Sequence, residues 1–284
     1  MFGLPSLRIG KIFGIPVEVN TSWFIIFALV ATSLSFSYYP AVFGWPPAVS
    51  IASGVITTLL FFASVVAHEM SHSLVARAGG LRINKVTLFL FGGVAEMAEE
   101  PHGPGREFAM AVAGPAMSLL LAGLFFFGYV VLAVAGASDI IWGPARYLGM
   151  INLFVAMFNL LPGFPLDGGR VFRSFVWAVT GDLLKATLWA TRAGQVIGFS
   201  MVGGAAIGVF NGRLDFAWLG LMGFFLTILS ESAYRQQLAK SRLASVTVAD
   251  IMTPSPLVVP GEVTLEQLAH DYFLGGRHSR YPVL

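Results

Sequence analysis

Five consecutive residues, His68-Glu69-Met70-Ser71-His72, carry the clearest chemistry in this sequence. On a helix, two histidines four residues apart lie one turn apart on the same face, where both imidazoles can reach one zinc ion. The glutamate between them is placed to take a proton from a water activated by that ion. This spacing also arises by chance in soluble proteins, so its setting decides its weight. Here three ionisable residues end a long apolar run, and ionisable groups at membrane depth are costly enough to be functional by default. The bland alternative is a polar cluster snorkelling at a lipid interface.

A catalytic zinc usually takes three protein ligands and keeps an open position for water. The third ligand must come from elsewhere in the chain, and the elements that position it follow from composition. The chain of 284 residues is 56% hydrophobic but only 11% charged. Soluble domains carry roughly a quarter charged residues, so there are too few charges here to solvate a soluble surface. Six apolar runs reach or approach the ~20 residues that cross a bilayer. They lie near residues 23–39, 48–67, 108–135, 147–161, 188–210 and 216–230, and the second continues as a helix through the histidine pair. The expected fold class is an α-helical polytopic membrane protein of about six transmembrane helices. The fifth run is glycine-rich, which permits close helix packing in lipid. The first 20 residues lack a signal-peptide pattern, so the first run is expected to remain a span.

Placing the N-terminus in the cytoplasm puts Arg8, Lys11, Arg77, Arg82, Lys85, Arg106, Arg170, Arg173, Lys185, Arg235, Lys240 and Arg242 inside. Only Arg146 and Arg213 then fall outside, the bias expected of cytoplasmic loops. The same bias accounts for a pI near 9.0 without a nucleic-acid partner. There is no cysteine, hence no disulfide framework and no thiolate ligand or nucleophile. In this orientation the second and fourth spans both run inward. The fourth ends near Asp167, at the depth of the histidine pair. Glu96, Glu99 and Glu100 are rival ligands in a charged cluster that reads as solvated. The alternative for Asp167 is a turn cap with Gly168-Gly169; the matching depth favours the ligand reading.

Between the second and third spans, residues 86–91, Gly92-Gly93 and residues 94–97 read as a small membrane-associated β-hairpin. Irregular or strand backbone at membrane depth must be buried in protein or line a watery cavity. An exposed hairpin edge could accept an unwound substrate as an added strand. Val86, Phe89, Gly92 and Gly93 are its candidate substrate-binding residues. Asn159 is a candidate for holding substrate backbone or a developing oxyanion. Interhelical hydrogen bonding is the alternative for Asn159, and the favoured reading for Asn152.

The HEMSH sequence, together with Asn159-Leu160-Leu161-Pro162-Gly163-Phe164-Pro165-Leu166-Asp167-Gly168-Gly169, resembles the site-2 protease family of intramembrane metalloproteases. The resemblance covers the membrane part as far as Ser230, and includes the FGGVA hairpin and the Ala113-Gly114-Pro115 step. It implies one zinc ion per chain bound by His68, His72 and Asp167, with Glu69 as general base. It implies a substrate that is a transmembrane segment of another protein, cleaved within the lipid bilayer. No PDZ-like segment separates the core spans, so the chain is more like the branch carrying a C-terminal cystathionine-β-synthase-type (CBS) module.

The tail is similar to the first half of a CBS repeat, an α+β fragment. Its expected parts are a turn at 253–256, a strand at 257–259, a helix starting at Thr264 and a strand at 281–284. The expected domains are therefore a protease domain at 1–232, a linker at 233–245 and a partial CBS domain at 246–284. Such modules act in pairs, which would give a homodimer, and adenine nucleotide binding requires a complete module. His270 and His278 read as surface or packing residues. Two rival functions are a CBS-regulated transporter and a catalytically inactive membrane scaffold. The complete ligand set and Glu69 weigh against both.

Overall fold

The computed structural model describes residues 5–89, 92–97, 99–244, 246–254, 256–274 and 280–284. They form two compact units, Met1–Gln237 and Leu238–Leu284.

The first unit opens on two strands that the sequence reading leaves unassigned, β1 (Ser6–Ile12) and β2 (Ile15–Asn20). In β2 the alternate residues Ile15, Val17 and Val19 are buried, the period-2 pattern of a strand with one face on a core. Phe13 and Gly14 both have positive φ at the turn, 49° and 82°, as tight hairpin turns require. The first apolar stretch follows as α1 (Trp23–Ser33), a π-helical turn (Leu34–Tyr38) and α2 (Tyr39–Phe43). Then come α3 (Pro47–Ala78), β3 (Ile83–Phe89) and β4 (Gly92–Met97). The unit continues through α4 (Pro104–Val134), α5 (Asp139–Asn159), α6 (Asp167–Thr180), α7 (Leu183–Phe210) and most of α8 (Ala217–Leu243).

Six helical stretches are long and apolar enough to cross a membrane: Trp23–Phe43, Pro47–Ala78, Pro104–Val134, Asp139–Asn159, Leu183–Phe210 and Leu214–Leu243. Each contains most of an expected run. The fourth starts well before the expected residue 147, because Pro144 and Arg146 break the apolar pattern while the helix runs through them.

One expectation needs correction. The hairpin is part of a four-stranded sheet in the order β1-β2-β3-β4. Strand β3 pairs in parallel with β2 (Val17 with Val86, Val19 with Leu88) and antiparallel with β4 (Val86 with Ala95, Leu88 with Gly93). Val86 and Phe89 therefore sit on an inner strand, and Val86 is fully buried. They cannot offer a free edge; β4 can. Lys85 ties β3 to β2 through Glu18 at 2.9 Å, and that carboxylate holds its ammonium pKa above the ordinary lysine value. Leu90 and Phe91, at the hairpin tip, lie outside the described residues. Helix α6, which the sequence reading leaves unassigned, begins at Asp167, where a turn cap is the alternative reading. It ends at Gly181, left-handed at φ 69°, the common helix stop.

Ile15, Val17, Val86 and Met70 form one core cluster, with Leu74, Ile83 and Ala95 packed against it. The sheet thus rests on the Met70–Leu74 side of α3. Residues two apart on a helix point to nearly opposite sides, so His68 and His72 are left to face other helices. Of the glycines of α7, Gly194, Gly198 and Gly208 act in packing, whereas a Cβ on Gly203 or Gly204 would meet open space. Gly198 lies against Gly223 and Thr227 of α8, and Gly194 against Phe164 and Ser230, where a side chain would keep the segments apart.

In the second unit, α9 (Val248–Ile251) and α10 (Leu265–Gln267) each begin with a reciprocal capping box, Thr247 with Asp250 and Thr264 with Gln267. A π-helical turn, Leu268–Leu274, continues α10. The two expected strands reduce to one parallel bridge between Val259 and Val283. Strand ladders need neighbours on a sheet, and the described part of the tail provides a single pairing. His270 is exposed beside Asp271; His278 lies outside the described residues.

Candidate metal centre

His68 and His72 project from α3 one turn apart, and Asp167 meets them from the first residue of α6. The Asp167 Oδ2 atom lies 3.1 Å from His68 Nε2 and 3.2 Å from His72 Nε2, and the two Nε2 atoms are 3.2 Å apart. Among the described residues this is the one group of three or more His, Asp or Glu side chains close enough to hold a metal ion. Glu96 and Glu99 lie elsewhere, exposed beside Lys85 and His102.

The donor set fits zinc on two grounds. Tetrahedral zinc with ligands at ~2.0 Å separates its donor atoms by about 3.3 Å, close to all three sides of the observed triangle. The hydrogen bonding behind the triangle also leaves electron pairs facing its centre. His72 Nδ1 is 2.7 Å from the Met110 carbonyl oxygen, which can only accept. Nδ1 therefore carries the proton, and neutral His72 presents a lone pair at Nε2. His68 Nδ1 is 2.8 Å from the buried Ser118 hydroxyl, which can accept in the same way. A second partner that fixes the ring and its tautomer is the usual support of a metal-bound histidine. Two lone pairs and a carboxylate pointed at one another repel unless a cation lies between them. The side chains of His68, His72 and Asp167 are only 6, 13 and 17% exposed, so water does little to screen that repulsion.

The glycines around this triangle are there because nothing larger fits. A Cβ on Gly114 of α4 would overlap Nε2 of both His68 and His72. A Cβ on Gly93, early in β4, would overlap Glu69 Cγ and lie 2.9 Å from its Cδ. The edge strand thus passes directly against the glutamate of the motif. Gly168 and Gly169 are part of α6, and side chains there would overlap the backbone of Leu160, Leu161, Gly163 and Phe164. They let the first turn of α6 press onto the loop behind it. The Phe164–Pro165 peptide in that loop is cis.

Asn159 is the last residue of α5 and half-buried, eight residues before the first residue of α6. Asn152 donates to the Leu148 carbonyl at 2.8 Å and reaches Ser64 of α3 at 3.4 Å, the interhelical role expected of it. Gly92 and Gly93 begin the edge strand, whereas Val86 and Phe89 lie behind it on β3. Met110, Ser118 and the buried pair Glu107–Arg173 escape the sequence reading. Arg173, expected among the cytoplasmic loop charges, is almost fully buried and donates from Nε to Glu107 at 2.6 Å.

The pattern of peptidase family M50 matches residues 56–142 and 134–202, which contain the whole triangle. The protein sll0528 of Synechocystis sp. is 41% identical over 95% of this chain and 70% of its own length. Zinc metalloprotease MJ0392 of Methanocaldococcus jannaschii is 34% identical over 98% of this chain and 75% of its own. The solved site-2 protease from Methanocaldococcus jannaschii matches with a TM-score of 0.55 and 28% identity, covering 88% of this chain and 100% of that one. With six apolar helices, a His-His-Asp triangle and these relatives, the chain belongs to peptidase family M50 and is an intramembrane metalloprotease.

Proposed function

We propose that this protein binds one zinc ion per chain through His68, His72 and Asp167, and cleaves a transmembrane segment of another membrane protein with Glu69 as general base. The observation that carries this reading is the triangle of three electron-rich donors within 3.2 Å, beside Glu69 and the start of an edge strand. When bound, zinc supplies a Lewis acid for the scissile carbonyl and for the attacking water. The carboxylate of Glu69 takes the proton of that water and returns it to the leaving amine. Asn159, at the end of α5, is the candidate donor to substrate backbone or to the developing oxyanion. Such donors are typically worth ~10²–10³ in rate.

A membrane helix hides its carbonyls in its own hydrogen bonds, so it must unwind before it can be cut. The unwound segment adds to the outer edge of β4, beginning at Gly92-Gly93. This puts a scissile bond next to Glu69, because Gly93 is already in contact with that side chain. The role falls to β4 because β3 has neighbours on both sides.

The charge bias of the loops supports an orientation with both termini cytoplasmic and the metal centre near that side. The division into a protease domain at 1–232, a linker at 233–245 and a CBS-type segment at 246–284 belongs to the same reading. So does a homodimer through paired modules, with adenine nucleotide bound only where the module is complete. The test is co-expression with single-span membrane proteins. Wild type is expected to yield shortened products and Glu69→Gln none; equal products from both would refute the reading.

A further inference from the structure

Helix α6 supplies Asp167 yet has only 14 residues and is not among the six stretches able to cross a membrane. Its position must come from contacts with its neighbours. One set is the close glycine packing of Gly168 and Gly169 on the loop behind them. The other is charged. Glu107 of α4 is completely buried and Arg173 of α6 nearly so. Both Nε and Nη2 of Arg173 reach Glu107 Oε1. Among the described residues Glu107 Oε2 has no hydrogen-bond partner, so the guanidinium is what compensates this carboxylate. The same guanidinium lies 5.1 Å from the centre of the Phe164 ring, in the loop that leads into α6. Arg173 thus links three segments: α4, the loop and α6 itself.

The placement along the helices gives the link its meaning. Arg173 is six residues beyond Asp167, ~9 Å along the α6 axis at 1.5 Å per residue. Glu107 is three residues before Met110 and seven before Gly114, so it shares α4 with the carbonyl that orients His72 and the glycine that abuts both imidazoles. The ion pair ties α6 to α4, and the triangle ties α6 to α3, whose two imidazoles α4 holds through Met110 and Ser118. With both in place, α6 can neither slide along α4 nor rotate on it.

We propose that Glu107 and Arg173 are a positioning pair for the third metal ligand: they hold α6 in the register that brings Asp167 to the two imidazoles. This rests on the assignment of Asp167 as a ligand. A buried ion pair can also serve stability alone, and losing one partner is costly in either case. What separates the two roles is coupling to Asp167, which a double-mutant cycle measures.

The experiment is zinc affinity of the purified full chain, by competition with a chromogenic chelator, for wild type, Glu107→Gln, Asp167→Ala and the double variant. Glu107→Gln is expected to weaken zinc ~10–100-fold, the range for losing a supporting partner of a metal ligand. In the Asp167→Ala background it is expected to change affinity by less than about twofold, since the ligand it positions is already gone. Equal weakening in both backgrounds would overturn the proposal, as would unaltered affinity in Glu107→Gln. Should Asp167→Ala itself leave zinc affinity unchanged, the ligand assignment fails, not the pair alone. Should Glu107→Gln not fold, Arg173→Lys enters the same cycle, keeping the charge but losing the forked geometry. Asn152→Ala, which removes an unrelated buried hydrogen bond, is expected to leave zinc affinity as it is.

Discussion

Replacing Gly114 by alanine is the smallest change that should break the proposed metal centre. The added Cβ would overlap Nε2 of both His68 and His72 and lie 2.6 Å from His72 Cε1. Carbon atoms in contact prefer about 3.5–4.0 Å, so the ring or the helix must retreat by about 1 Å. Metal ligands tolerate only about ±0.2 Å, and misplacing a reacting group by about 1 Å costs ~10²-fold in rate. Helix α4 cannot absorb the push, since Met110 holds His72 and Ser118 holds His68 from the same helix. Overpacking of this kind typically costs ~1–3 kcal/mol of stability as well. Gly123 is the control, because it is on the same helix with open space where its Cβ would go. Alanine there should even favour the helix by about 1 kcal/mol. The assay is zinc content by mass spectrometry alongside cleavage of a single-span substrate in detergent. Gly114→Ala is expected to lose most of its zinc and at least about 10²-fold in cleavage, with Gly123→Ala like wild type. Wild-type zinc and cleavage in Gly114→Ala would refute the packing argument.

Gly93→Ala presses on Glu69 rather than on a ligand, so it is expected to keep its zinc and lose cleavage, read by the same two assays. Gly168→Ala would put a methyl group into the carbonyl oxygens of Leu160 and Leu161. It should move α6 and lower zinc affinity, measured by chelator competition. Val86→Pro is expected to damage the whole sheet, because β3 is paired on both sides and proline removes a ladder donor. Yield of folded protein and melting temperature should therefore fall with cleavage, whereas a selective loss of cleavage would favour β3 as the docking strand.

The three residues of the triangle were legible because their signals are local or nearly so. Four-residue spacing marks the histidine pair, and the expected span direction points to Asp167, which lies 3.1 and 3.2 Å from the two imidazoles. What lay beyond the sequence has physical reasons. Helix α6 is left unassigned by the sequence because Pro165, Gly168 and Gly169 at its start are turn formers; the glycines are there because backbone passes where side chains would be. Strand β2 has a clean alternation, yet its partner β3 lies three helices further on, and no pattern announces that Val17 meets Val86. That pairing turned the expected hairpin edge into an inner strand. The Met110 carbonyl has no side-chain signature at all. Arg173 counts as a loop charge in any sequence tally and becomes a buried link once α6 folds against α4.

The central claim is that three side chains hold zinc while Glu69 moves the proton. Zinc content and cleavage measured together on purified Glu69→Gln test it most directly. Removing the base while sparing the ligands should leave one zinc per chain, and cleavage should fall by ~10²–10⁴, the usual range for general acid–base catalysis. Loss of the metal, or cleavage at the wild-type rate, would contradict the account.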